Sequence, residues 1–226
     1  MSKSKHVMEK VIGRTEAHLY LAKNRLNHAL AYVQIENPSN DAPYHNLDHM
    51  LTVVKWCGRI ASLSHLSENE ERALILAAIF HDFDHSAGKE EDDVNVQQAI
   101  AALTRFCEIH SVEDEIRDVA IENIQVTQFP FIYTPQTLAQ KIIRDADLLQ
   151  SLEPNREEVL IGGLRKELEV KFKRKITRGE FCENQVKFLD GLKLYTTPAQ
   201  VIFDAAKPYL FSEFTAIAER NKRNSV

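Results

Sequence analysis

The stretch Ala77-Ala78-Ile79-Phe80-His81-Asp82-Phe83-Asp84-His85 constrains this chain more than any other. An apolar run at helical spacing leads directly into two imidazoles and two carboxylates, and the small alanines before His81 let neighbouring helices come close. Charge delivered to such a place needs partners, because burying an unpaired carboxylate is costly. Adjacent His81 and Asp82 offer one neutral nitrogen and one anionic oxygen, a mixed set suited to a divalent cation. A His-Asp doublet alone carries no conclusion, so the reading depends on further ligands elsewhere in the chain.

Only seven Gly and seven Pro occur among 226 residues, with 27% charged residues and abundant Ala, Leu, Glu and Lys, which predicts an all-α protein rather than a sandwich or barrel. At 44% hydrophobic, residues 1–226 suffice for one sizeable core and are read as a single domain. Apolar periodicity places helices at 7–35, 44–63, 68–85, 93–109, 112–128, 135–150, 156–172, 178–194 and 198–218, with 36–43 a loop rich in breakers. Ser67 with Glu70 three residues on predicts a capping box at the start of the 68–85 helix. Phe129-Pro130-Phe131-Ile132-Tyr133 reads as a connecting loop whose aromatics pack into the core, the alternative being stacking on a nucleobase.

A net charge of −5 gives no electrostatic case for a nucleic-acid polymer or an anionic membrane as partner. The apolar run ending at Phe80 is far shorter than the ~20 residues a bilayer span needs, and Met1-Ser2-Lys3-Ser4-Lys5 leads into no apolar signal region, so no membrane association is expected. Cys57, Cys107 and Cys182 are odd in number and widely spaced, which reads as reduced thiols in a cytoplasmic protein.

His45 and His49 lie four apart in Tyr44-His45-Asn46-Leu47-Asp48-His49, on a face that continues through Thr52, Val53, Trp56 and Ile60, so both imidazoles are expected to point inward. On the 135–150 helix, Ala146, Asp147 and Gln150 share one apolar stripe and Ile142, Asp145 and Leu149 another. Periodicity does not choose between Asp145 and Asp147. Positive charge gathers at Arg165, Lys166, Lys171, Lys173, Arg174, Lys175 and Arg178. Most of it reads as solvated, with Arg165 or Lys166 a candidate holder of a substrate phosphate.

His49, the doublet His81-Asp82 and a distal aspartate, delivered in this order by three helices, resemble the HD-domain superfamily of metal-dependent phosphohydrolases. The resemblance spans roughly residues 43–147 and implies a multi-helix bundle like that of the cyclic-nucleotide phosphodiesterases. Tyr44-His45-Asn46 with His49, and His81-Asp82-Phe83-Asp84-His85, are similar to the YHNxxH and HDxDH signatures of the class I phosphodiesterases. The YHNLxH element is also similar to a family of small bacterial HD phosphohydrolases, where the likeness extends into Leu164-Arg165-Lys166-Glu167 and into residues 188–195. The short chain favours the second branch. The resemblance implies His49, His81, Asp82 and Asp147 as metal ligands, Asp147 being chosen because Ala146-Asp147-Leu148 matches the family's distal element. It implies a divalent ion (zinc, manganese, magnesium, iron or nickel), with Asp82 bridging a second ion that is weakly held because Ile124-Gln125-Val126-Thr127-Gln128 lacks further histidines. His45 would protonate the leaving oxygen and His85 would stand near a water activated at the metal, with Asp145 a candidate to orient ligands or water. The implied activity is hydrolysis of a nucleotide-like phosphoester. A cyclic-nucleotide phosphodiesterase and a non-catalytic metal- or nucleotide-binding HD module are the alternatives; a di-iron oxygenase is disfavoured by the missing histidines.

Overall fold

Residues 3–223 are described in the computed structural model, and among them only helices and turns occur. Two helices, α1 (Lys3–Lys23) and α2 (Asn27–Glu36), lead through a 3-10 turn (Pro38–Asp41) into α3 (Leu47–Ala61) and α4 (Glu68–Phe80). α5 (Asp92–His110), α6 (Asp114–Gln125) and α7 (Leu138–Leu148) follow, then a second 3-10 turn (Leu149–Leu152) and a π-helical stretch (Glu157–Leu164). α8 (Arg165–Lys171), α9 (Arg178–Gly191) and α10 (Thr197–Arg223) complete the described chain.

The middle of the molecule is α4. All of Ala73 to Phe80 is buried, and α2, α3, α5, α6 and α7 pack around it, so its apolar run is that of a helix surrounded on every side. α3 packs against α1, α4 and α7, bringing the three segments that carry His49, His81-Asp82 and Asp147 together. α9 and α10 form a separate pair that meets the rest through the turn after α7 and the π-helical stretch.

The capping box forms as expected: the Ser67 hydroxyl accepts from Glu70 N, and the Glu70 carboxylate accepts from Ser67 N at 2.8 Å. Three expected helices are altered. The 7–35 helix is broken at Arg25, which takes φ +59°, so that Leu26 turns fully into the core before α2 begins. α4 stops at Phe80 instead of running to residue 85, because Asn37 Oδ1 accepts from Asp84 N at 2.8 Å and Asp84 adopts φ +60°. The His-Asp doublet therefore stands in a turn, not on a helix. In α3 the N-cap is Asn46, whose side chain accepts from Asp48 N and His49 N, leaving His45 outside the helix.

The 129–133 loop corrects another expectation: its aromatics do not pack into the core. Arg144, fully buried on α7, donates to the carbonyls of Val126 and Tyr133 and lies over the Phe131 ring at 3.8 Å, so the loop backbone is tied down and its rings turn outward. The three cysteines are buried and free. No helix of the described chain is long and apolar enough to cross a membrane.

Candidate metal centre

Four side chains from three segments meet at one point. His49 Nε2 stands 3.1 Å from Asp82 Oδ2, 3.1 Å from Asp147 Oδ1 and 3.4 Å from His81 Nε2. His81 Nε2 lies 3.0 Å from Asp82 Oδ2 and 3.7 Å from Asp147 Oδ1. A divalent ion bound at about 2.0–2.2 Å spaces neighbouring tetrahedral or octahedral ligands roughly 3.0–3.6 Å apart, so these separations fit the edges of one coordination shell.

Both imidazoles are aimed there by their other nitrogen. His49 Nδ1 is 3.2 Å from Gln150 Oε1, and His81 Nδ1 is 2.9 Å from the Ala78 carbonyl. Each acceptor holds the proton on Nδ1 and turns the Nε2 lone pair toward the centre, the arrangement that metal-binding histidines require. Asp82 Oδ2 is buried without a hydrogen-bond donor, a costly state that a cation relieves. Gln150 is held through its own turn, where Glu153 Oε1 accepts from Lys55 Nζ at 2.5 Å and from Trp56 Nε1 at 2.8 Å, tying that turn to α3.

The electrostatics follow from the crowding. Burial alone would lower the His49 pKa, but a proton on Nε2 would be donated to Asp147 and Asp82, and that bonding together with their charge outweighs burial and raises it to about 9. The same opposition raises His81 well above the imidazole range, with the Asp82 charge the largest favourable contribution. Burial pushes Asp82 and Asp147 upward, yet the neighbouring imidazoles hold both below the carboxylate range. Protons and a metal ion held there would compete for the same Nε2 atoms.

A second group, His45, His85 and Glu167, adjoins the first. His45 Nδ1 is hydrogen-bonded to Glu167 Oε2, while Glu167 Oε1 accepts from Tyr44 N at 2.7 Å and His45 N at 3.2 Å. The His45 ring stacks on that of His85 with centroids 3.6 Å apart and faces His49 edge-on at 5.7 Å. His85 is engaged at both nitrogens, Nδ1 accepting from Ala87 N at 3.1 Å and Nε2 standing 3.1 Å from Asn95 Nδ2. Either group of buried His, Asp and Glu side chains could hold a metal ion. They differ in that the ring nitrogens of His85 and Nδ1 of His45 already have partners, whereas the His49–His81–Asp82 group keeps an orphaned oxygen.

Of the aspartates that periodicity left open, only Asp147 reaches the cluster. Asp145 is fully buried but accepts from Tyr195 N at 2.8 Å and from Thr196 N and Oγ1 at 2.7 Å each, so it locks the α9–α10 loop and orients no ligand. The structure does not bring Arg165 to the cluster either. Its guanidinium is taken by the Ile161 and Ile176 carbonyls and by Glu169, while Lys166 is exposed. Glu167 lies far along the chain from His45, and no spacing signal pairs the two. Gln150 was legible, lying on the stripe of Asp147 one turn further on.

No family model matches the chain, and no curated protein matches it.

Proposed function

We propose that this protein is a metal-dependent phosphohydrolase of the HD superfamily, cleaving a nucleotide-like phosphoester. The observation that carries the reading is the convergence of the His49 and His81 Nε2 atoms, each aimed by a partner at Nδ1, on the orphaned Asp82 oxygen and on Asp147. The donor set of two imidazoles and two carboxylates suits a transition ion such as zinc, manganese or iron. A divalent ion there supplies Lewis-acid polarisation of a phosphoryl oxygen and lowers the pKa of water toward neutrality. The side chains do the rest. Glu167 holds the His45 Nδ1 proton and fixes the ring, leaving Nε2 to give a proton to the departing oxygen, with the His85 ring as the surface against which His45 is seated.

Elemental analysis of the purified protein is expected to find a divalent metal that is lost in His81→Ala. In a screen of nucleotides, cyclic nucleotides and sugar phosphates, phosphoester cleavage falls to background in the same variant. His45→Ala keeps the metal but loses about 10²- to 10⁴-fold in kcat, partly restored by a p-nitrophenyl leaving group, which needs no proton. Cleavage that persists in His81→Ala overturns the reading.

A further inference from the structure

All five side chains at 129–133 are exposed apolar groups, Phe129 at 51%, Phe131 at 37%, Ile132 at 64% and Tyr133 at 47% beside Pro130. Exposed apolar residues scattered singly are ordinary, but a contiguous set on one loop marks a binding surface. The loop contains no charged residue, so what it recognises is apolar or planar, not ionic.

Its two ends are pinned to the neighbourhood of the proposed active site. At one end Phe129 N donates to Asp92 Oδ2 at 2.6 Å, and the other oxygen of that carboxylate stands 3.8 Å from His85 Nε2. His85 in turn carries the ring of His45. At the other end Arg144 holds the Tyr133 carbonyl at 3.0 Å, and Arg144 lies one helical turn before Asp147 on α7. The loop is therefore rooted beside both the imidazole pair and the distal carboxylate. Phe131 has its ring on the Arg144 guanidinium, and Phe129 meets it edge-on at 5.1 Å. A surface held in this way loses little freedom when a ring settles on it.

We infer that the 129–133 loop is the platform on which the planar ring of the substrate stacks. The substrate class is then a phosphoester carrying a nucleobase or comparable aromatic ring, and a bare sugar phosphate is a poor substrate. This rests on the phosphohydrolase reading of the site.

Adenosine 5′-monophosphate and ribose 5-phosphate share the phosphate, the sugar and the ester bond and differ by the base, which makes them the discriminating pair. Metal-loaded full-length protein is titrated with each by calorimetry, and turnover of each is measured in parallel. The wild type is expected to favour the nucleotide by about 10- to 100-fold in both Kd and kcat/KM. In Phe129→Ala and Ile132→Ala that preference collapses to a few-fold through KM rather than kcat, with metal content and melting temperature as in the wild type. Equal affinity for the two compounds in the wild type, or a preference that survives both substitutions, overturns the inference; a loop that serves a protein partner or a bilayer gives this second result. If neither compound is hydrolysed, the phosphohydrolase reading fails for this pair. The calorimetric comparison alone then decides the loop: a preference lost in the variants upholds it, and equal affinities overturn it.

Discussion

Asp145 and Asp147, two positions apart on α7, perform different work because of what stands opposite each. Asp145 accepts three hydrogen bonds from Tyr195 and Thr196, while Asp147 faces His49 and His81. Burial raises the Asp145 pKa, and the three donors pull against that rise. Asp145→Asn puts an amide N–H where a backbone N–H already points, which is expected to cost about 2–4 kcal/mol in denaturant unfolding while metal content is retained. Asp147→Asn, by contrast, is expected to lose the metal in elemental analysis. Neither outcome was legible from α7 alone, since both carboxylates sit on apolar stripes and the donors that separate them lie some fifty residues away.

At the scale of elements, the π-helical stretch and α8 hold the segment that carries Tyr44 and His45 from behind. A Cβ on Gly163 would stand 2.2 Å from the Pro43 carbonyl oxygen, next to Tyr44 and His45, whereas one on Gly162 would meet nothing within 4 Å. The two adjacent glycines are thus one close approach and one open position. Gly163→Ala is expected to lower stability by about 1–3 kcal/mol and to disturb the seating of His45 on Glu167, while Gly162→Ala is neutral or stabilising by up to about 1 kcal/mol; thermal melts of the two variants check both. Gly88 sits at φ +87° with its α-carbon against the backbone of Glu167, so the turn after the His-Asp doublet and α8 are packed together. Ser67–Glu70 was legible in advance because a capping box is local. The end of α4 was not, because Asn37 ends it from a different loop.

For the whole molecule, the crowded imidazoles and carboxylates make stability depend on pH and on metal together. The His49 pKa is raised from 6.5 to about 9 when no cation is present. A group raised on folding stabilises the protein fully below its unfolded value and loses that contribution as pH rises through the folded value. Metal-free protein is therefore expected to lose melting temperature between pH 6.5 and 9. Metal needs the neutral imidazole, so its affinity rises over the same window, and the gap in melting temperature between loaded and chelator-treated protein widens with pH. Scanning calorimetry with and without chelator measures that gap; a gap that narrows toward pH 9 contradicts the competition between proton and metal.

The amino-acid order by itself determined an all-helical chain, the apolar run Ala73–Phe80 of α4 and the inward face of His49, because periodicity, capping and low Gly and Pro content act within a few turns of backbone. Periodicity left Asp145 and Asp147 open and only the family resemblance pointed to Asp147; tertiary structure decided that Asp145 is held by the α9–α10 loop, that Glu167 grips His45, that Arg165 is taken by Glu169 and two carbonyls, and that the 129–133 rings face solvent above Arg144. Each of those outcomes depends on a partner brought close by packing. A side chain's own neighbours in sequence carry no record of that partner.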